Sequence, residues 1–286
     1  MKRRFSPEVL HVTLENDALP APFGALAPNA AQAAIIVLTQ RTGLKRGAFR
    51  PTMSRLVNLL RAGPLDVHYQ GAAFRLHHQM SATERGALFN ADYNRDELDF
   101  LRANVPAGGT FVDLGANVGT YALVLARHVG AGGKVIAVEP HPVIHARLAF
   151  NREASAANQV RLVAAAVGPI DGELSIETDD DNLGASHVVS EAPSLDAIKV
   201  PSLRLLRILV EAGLASVDAL KIDIEGFEDR ALIPFFKEAP PSLWPRAVVI
   251  EHLSRGEWQQ DCIADMIARG YREAGRTRSN TLLRHG

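Results

Sequence analysis

The chain reads as an α/β protein: a doubly wound, mostly parallel sheet preceded by a helical and hairpin N-terminal extension. Three observations predict it. From Thr110 onward, short apolar runs alternate with amphipathic segments, the pattern of a parallel sheet covered by helices on both faces. The first run, Phe111-Val112, ends in Asp113 and passes through the glycine-bearing turn Gly115-Ala-Asn-Val-Gly119 into a helix. The second, Val135-Ile-Ala-Val138, closes on Glu139, roughly 20 residues beyond that turn, as nucleotide-binding strand pairs do.

Residues 1–29 carry Pro7, Pro20, Pro22 and Pro28 with little periodicity, an irregular arm. Residues 30–62 give two helical patterns broken near Gly43–Gly47. Asp66–Tyr69 and Ala73–His77 read as a hairpin turning at Gln70-Gly71. In that strand His77 and His78 point to opposite faces, which argues against a metal shared between them. Asp96–Asn104 is helical, with Leu98 and Leu101 on one face and Pro106 beyond its end. Strands are expected at Thr110–Leu114, Val135–Val138, Val160–Val167, Ala219–Ile222 and Ala247–Ile250. Helices are expected at Thr120–His128, Ile144–Glu153, Leu203–Glu211, Glu228–Phe236 and Trp258–Arg269, with Cys262 on the apolar face of the last. The tail, Tyr271–Ala274 and Thr281–Leu283, reads as a hairpin at the sheet edge. The expected division is an extension over residues 1–104, covering a site built by residues 105–286.

The turn chemistry narrows the ligand. A dinucleotide fingerprint needs Gly-x-Gly-x-x-Gly so that the backbone can close on a pyrophosphate. Asn117 and Thr120 stand where the second and third glycines would be. The turn therefore suits an adenosyl ligand without a pyrophosphate, and a NAD enzyme is disfavoured. Ligands of open α/β sheets lie beyond the carboxyl ends of the strands. Asp113, Glu139, Asp223 and Glu251 all fall at or just after such ends, where each either faces a site or caps the next helix.

Three blocks carry a family resemblance. Asp113-Leu-Gly-Ala-Asn-Val-Gly-Thr-Tyr121, Val138-Glu-Pro-His-Pro142 and Leu220-Lys-Ile-Asp-Ile-Glu-Gly-Phe-Glu228 resemble the FkbM-type S-adenosylmethionine-dependent methyltransferases. The likeness extends over roughly residues 65 to 275, including Asn182-Leu-Gly-Ala-Ser186, and the third block is the discriminating one. One departure stands out. Members usually carry a Leu-Asp pair within Pro201–Leu209, where this chain reads Ser202-Leu-Arg-Leu-Leu-Arg207, so no role for that acid carries over.

The resemblance implies a class I, Rossmann-like methyltransferase fold, seven-stranded with its last strand antiparallel, and S-adenosyl-L-methionine as cofactor. Asp113 would hold the methionine ammonium, directly or through water, while the amides of Gly115, Ala116, Asn117 and Gly119 approach the methionine and ribose. Glu139, followed by Pro140, would take the ribose diol. No carboxylate follows the third strand, where Ala164-Ala-Ala-Val-Gly168 stands, so adenine is left to backbone amides near Ala165 and Ala166. Methyl transfer from a sulfonium is an in-line displacement needing an aligned acceptor and, for a hydroxyl, a base within hydrogen-bond reach. Asp223 and Glu225 are the candidate orienting and basic groups, with His252 a further base. With Glu251 or His252 they could instead bind a divalent cation through oxygen ligands, a reading not favoured over a metal-free one. Tyr93, Asn94 and Glu97 precede the first strand, in a region that closes over the cofactor in similar enzymes or simply starts a helix.

Composition sets the outer limits. With 47% hydrophobic and 22% charged residues, 286 residues readily bury a core. A net charge of −1 argues against a dedicated nucleic-acid binder. Cys262 is the only cysteine, which excludes an internal disulfide and suits a reducing, cytoplasmic setting. Met1-Lys-Arg-Arg4 is followed by no apolar core of a secretory signal, and Ala30–Leu38 is too short to span a bilayer. The expected reaction is O-methylation of a hydroxyl on a sugar, glycan or secondary metabolite. The alternatives are N- or carboxyl-methylation, or a nucleotide-binding scaffold without chemistry. An Asn-Pro-Pro-Tyr-type block, expected of many amino methyltransferases, is absent where Asp223-Ile-Glu-Gly226 stands.

Overall fold

A computed structural model describes residues 21–179, 182–189 and 197–286. The acidic run Asp179–Asp181 and most of the N-terminal arm therefore lie outside the described residues, in part or whole. The extension contributes helices α1 (Ala30–Arg41) and α2 (Arg50–Leu60), the antiparallel hairpin β1 (Leu65–Tyr69) and β2 (Ala72–Leu76), and helices α3 (Ala82–Phe89) and α4 (Arg95–Asn104). Then follow β3 (Thr110–Leu114), α5 (Ala122–Val129), β4 (Lys134–Val138), α6 (Pro142–Ala154), β5 (Val160–Val163), β6 (Ala166–Val167), β7 (Gly172–Asp179), β8 (Asn182–Val189) and β9 (Ile198–Leu203). The chain closes with α7 (Leu205–Glu211), β10 (Ala219–Ile222), α8 (Glu228–Glu238), β11 (Ala247–Glu251), α9 (Cys262–Ala268), β12 (Tyr271–Arg276) and β13 (Asn280–His285).

The main sheet has seven strands in the order β12-β13-β11-β10-β3-β4-β5. β3, β4, β5, β10 and β11 are parallel, and β13 runs antiparallel to both β11 and β12. Side-chain alternation feeds two cores, one on each face. Phe111, Val135, Ala219 and Val249 pack with α4, α5 and the extension, while Val112, Ile136, Leu220 and Val248 pack with α7, α8 and α9. Ile36, Val57, Phe74 and Phe89 join the first of these cores, so the extension shares the sheet's interior.

Buried polar ties fix the extension to α6 and the turn after β3. Asn151 of α6 accepts the Arg75 N–H at 2.7 Å through Oδ1 and donates through Nδ2 to the Val118 carbonyl at 3.1 Å. One side chain thus links the hairpin, α6 and the glycine-bearing turn. The Arg147 guanidinium meets Glu84 at 3.0 Å, joining α6 to α3.

Five local departures from the sequence reading have physical causes. The expected strand Val160–Val167 is broken: β5 ends at Val163, and the chain crosses to pair Ala166 with Ser202 in a second sheet, ordered β6-β9-β7-β8. A run of small alanines fits either edge and gives no signal for the crossing. β7 and β9 alternate Leu174/Ile176 and Ile198/Val200 inward, a strand pattern that Gly172 and Pro201 obscure. β9 also takes Leu203, so the expected helix Leu203–Glu211 begins at Leu205. Helix α3 carries a readable start signal, Ser81-Ala-Thr-Glu84, in which Ser81 Oγ accepts the Glu84 N–H at 3.2 Å. The expected helix Trp258–Arg269 begins only at Cys262, because Asp261 caps it by accepting the Ala264 N–H at 3.2 Å.

Candidate active site

The carboxyl ends of β3, β4 and β10 meet at a cavity of about 140 Å³. One side is the turn Gly115, Ala116 and Asn117, with Glu139 and Pro140 after β4. Ala165, Ala166, Val167 and Ile176 form an apolar wall from the crossing segment and the second sheet. Lys221, Asp223 and Glu225 stand at the end of β10. Tyr93 and Asn94 of the extension and Ser279 and Asn280 of the last hairpin complete the rim.

Close backbone approach explains the first glycine. Gly115 has φ +74, and a Cβ there would stand 1.9 Å from the Asp223 carbonyl oxygen. The turns after β3 and β10 can touch only if residue 115 lacks a side chain. Gly119, at φ +96, is needed for packing: a Cβ would fall 2.7 Å from Leu148 Cδ1, and the residue does not line the cavity. Gly115→Ala is expected to lower stability by about 1–3 kcal/mol and to weaken S-adenosylhomocysteine binding, read by thermal denaturation and calorimetry. Unchanged values for both would show that the two turns are free to separate.

Glu139 is held by two backbone donors. Its Oε2 accepts the Asn117 N–H at 2.9 Å and its Oε1 the His141 N–H at 2.9 Å. Burial pushes its carboxyl up to about 7, against the pull of those two hydrogen bonds. Each oxygen keeps a lone pair for a ligand.

Beneath the turn lies a charged cluster that sequence reasoning left without a role for its cation. Parallel register sets Lys221 beside Asp113. The Lys221 ammonium donates to the Gly115 carbonyl at 2.9 Å and lies 3.6 Å from Asp113 Oδ1 and 3.7 Å from Asp223 Oδ2. It also sits 5.3 Å above the Tyr121 ring. Burial alone would lower the Lys221 pKa, but Asp223, Asp113, Glu139 and Glu225 outweigh it and raise it, so the cation persists. A lysine inside an otherwise apolar strand was the available signal.

Asp113 does not reach the cavity. It is fully buried; Oδ2 accepts the Ala122 N–H at 3.0 Å, capping α5, and Oδ1 has no hydrogen-bond partner. Burial raises its pKa despite Lys221. The direct contact with a methionine ammonium expected from the sequence is thus not available from this carboxylate.

At the other side, Glu225 adopts φ +54 and Gly226 φ +88, turning the chain sharply out of β10. Burial, then the charges of Asp223, Glu251 and Glu228, push the Glu225 carboxyl up to about 7. Glu228 is likewise raised to about 7, first by burial, while accepting the Ile224 N–H and the Trp258 Nε1–H, each at 2.8 Å. Oxygens of Asp223, Glu228 and Glu251 lie within 4.8 Å of one another, a triad of possible cation ligands in which Glu228 takes the place expected for Glu225. Both Glu251 oxygens accept N–H groups, from Leu253 and from Ser254, so this acid caps the turn after β11.

His252 is a further departure. It lies outside the cavity lining, and its Nδ1 pairs with Thr281 Oγ1 at 3.0 Å. Glu97 does not line the cavity either; its Oε1 accepts from Thr277 Oγ at 2.6 Å and Asn280 Nδ2 at 3.0 Å, binding α4 to the hairpin that supplies Asn280. Ser279 and Asn280 were invisible in the sequence because only sheet closure brings residue 280 to β11.

Strand order, an acid-ended second strand and a cavity over the parallel strands' carboxyl ends define a class I, Rossmann-like methyltransferase domain. The chain belongs to the FkbM methyltransferase family: the family model for the methyltransferase FkbM domain matches residues 113–273. It is accordingly an S-adenosylmethionine-dependent methyltransferase.

Solved structures show similarity at low identity. A precorrin-6y C5,15-methyltransferase from Geobacter metallireducens is 12% identical, with TM-score 0.40, covering 68% of this chain and 85% of its own. An O-methyltransferase of tomaymycin synthesis from Streptomyces achromogenes, solved with S-adenosylmethionine, is 14% identical, with TM-score 0.40 and coverages of 68% and 78%. An O-methyltransferase from Bacillus cereus, solved with S-adenosylhomocysteine, is 14% identical, with TM-score 0.39 and coverages of 66% and 78%. No curated protein matches the chain. Among the described residues, no helix is long and apolar enough to cross a membrane.

Proposed function

We propose that this methyltransferase transfers its methyl group to a hydroxyl oxygen of a sugar, glycan or secondary metabolite. One observation carries the reading: Asp223 and Glu225 line the cavity beside the Gly115–Asn117 turn, and Glu225 is poised near neutrality. When bound, S-adenosylmethionine supplies an electrophilic methyl on a sulfonium. The turn residues Gly115, Ala116 and Asn117 line the cavity beside Glu139, whose two oxygens each keep a lone pair, and these groups fit that cofactor.

In this reading Glu139 accepts from the ribose hydroxyls, and Pro140, Ala165 and Ala166 flank the adenine. Asp113 serves by position: it fixes the first amide of α5 and, with Lys221, the Gly115 carbonyl. Asp223 orients the acceptor hydroxyl, and the Glu225 carboxylate takes its proton, a role suited to a base near the working pH. Tyr93 and Asn94 close the acceptor's side, consistent with residues 1–104 acting as the cover over a domain of residues 105–286. Acids around the site favour hydroxyl-rich acceptors and repel the phosphates of nucleic acid. The buried, single Cys262 suits the cytoplasm.

Release of S-adenosylhomocysteine with a panel of sugars, glycans, proteins and RNA tests the acceptor class. Label accepted by RNA or protein alone would end the hydroxyl assignment. Lys221 already supplies a buried positive charge among these acids, which favours chemistry without a divalent cation. Exhaustive chelation is therefore expected to leave turnover unchanged. Loss of activity restored by a divalent cation would reassign Asp223, Glu228 and Glu251 as its ligands.

A further inference from the structure

The first two helices of the extension, α1 and α2, carry an unusual surface. Between residues 21 and 65 there are six basic residues, Arg41, Lys45, Arg46, Arg50, Arg55 and Arg61, and no acid, in a chain of net charge −1. The same stretch holds six of the eleven large apolar residues exposed among the described residues: Val37, Leu38, Phe49, Leu56, Leu59 and Leu60, with Leu59 82% exposed. Helical spacing lines them up. Val37, Leu38 and Arg41 share one outward stripe of α1, and Arg55, Leu56 and Leu59 share one of α2. The opposite faces are buried, through Gln32, Ile36 and Thr39 on α1 and Ser54 and Val57 on α2. Gln32 Nε2 locks the pair together by donating to the Val57 carbonyl at 3.1 Å and the Arg61 carbonyl at 3.2 Å.

We propose that this face docks on an anionic lipid surface, without spanning it. Leucine and phenylalanine interspersed with arginine is the composition of helices that lie in the membrane interface, apolar atoms among the acyl chains and cations at the headgroups. Arg41, Arg46 and Arg55 form no ion pair among the described residues and are free to meet lipid phosphates. A nucleic acid would be served by the charges but not by exposed leucines. A second copy of the chain would set two faces of like charge together. The face adjoins the cavity rim: Lys45 pairs with Asp92 at 3.1 Å, and the Arg50 guanidinium lies 5.4 Å over the Tyr93 ring. Docking would therefore hold the Tyr93–Asn94 side of the cavity close to the bilayer. The proposal stands apart from the acceptor reading, since it concerns a surface and not the reaction.

The test is co-sedimentation of the full chain with vesicles of phosphatidylcholine, alone or mixed with phosphatidylglycerol. Binding to the anionic vesicles is expected, falling with added salt. Each cation near such a surface is worth about fivefold in partitioning, so Arg41→Gln/Arg46→Gln/Arg55→Gln should weaken it by about 100-fold. Leu38→Ser/Leu59→Ser should weaken it as well, and both variants should bind S-adenosylhomocysteine normally, which reports the fold. Absence of binding to anionic vesicles would overturn the proposal, as would binding indifferent to both variants. Vesicle binding lost with the arginines but not the leucines, together with RNA binding of equal strength, would make the face a general polyanion site instead. A dimer broken by the leucine variant, without vesicle binding, would make it a self-association surface.

Discussion

Glu225→Gln and Asp223→Asn are each expected to lower turnover by about 100-fold or more while leaving S-adenosylhomocysteine affinity within a few fold. Loss of a positioned base costs on the order of 10²–10⁴ in rate. The pH profile separates the two residues. With its carboxyl near 7, Glu225 is a base only above that value, so activity should rise through a limb near pH 7. That limb should vanish in Glu225→Gln and persist, at lower amplitude, in Asp223→Asn. Normal turnover by both variants on an accepted substrate would make these acids structural. Stability should move the opposite way. Glu139, Glu225 and Glu228 are raised in the fold from 4.5 to about 7, mainly by burial. A raised carboxyl binds its proton more tightly folded than unfolded. Its contribution to stability is complete below pH 4.5 and is lost as pH rises through about 7. Thermal midpoints should therefore fall from mildly acid to mildly alkaline solution, less steeply in Glu225→Gln.

Glu139→Ala should weaken S-adenosylhomocysteine by ~1.5–3 kcal/mol, roughly 10- to 100-fold, the scale of charge-assisted hydrogen bonds. Part of that loss is indirect, because Glu139 also holds the Asn117 and His141 N–H groups in place. Glu139→Gln apportions the two. It keeps an acceptor oxygen but no charge, so its loss should be smaller and its affinity nearly independent of pH. In the unaltered protein the carboxylate forms only as pH rises through about 7, and affinity should increase across that range. Calorimetry at several pH values is the measurement. An unchanged affinity for Glu139→Ala would remove this residue from the cofactor site.

Local chemistry wrote the β3–β4 side of the cavity into the sequence. Phe111 to Glu139 is a strand, turn, helix and strand in unbroken succession, so short-range signals suffice: apolar runs for β3 and β4, glycines for the turn, an acid at each strand end. Gly115, Ala116, Asn117, Glu139, Pro140, Ala165 and Ala166 all line the cavity, as do Asp223 and Glu225. The third block, Lys221-Ile-Asp-Ile-Glu-Gly226, also marked the family that the match over residues 113–273 shows.

What the sequence by itself determined, then, is the parallel αβ order, the glycine-bearing turn at the cavity and the acids that end its strands. Each depends on neighbours a few residues apart. Tertiary structure alone decided which acids face the cavity. Asp113 and Glu139 end adjacent strands, yet Asp113 turns to the Ala122 N–H and Lys221 while Glu139 reaches the cavity. Glu251 ends β11 and His252 follows it, as Asp223 follows β10, yet Glu251 caps its own turn and His252 pairs with Thr281. The same holds for Ser279 and Asn280, and for the apolar wall of Val167 and Ile176, which exists only because the chain leaves the main sheet after Val163. Lys221 beside Asp113 and Thr281 beside His252 come from distant segments that no local pattern records, while Glu251 turns back to its neighbours Leu253 and Ser254 once β11 is placed in the sheet.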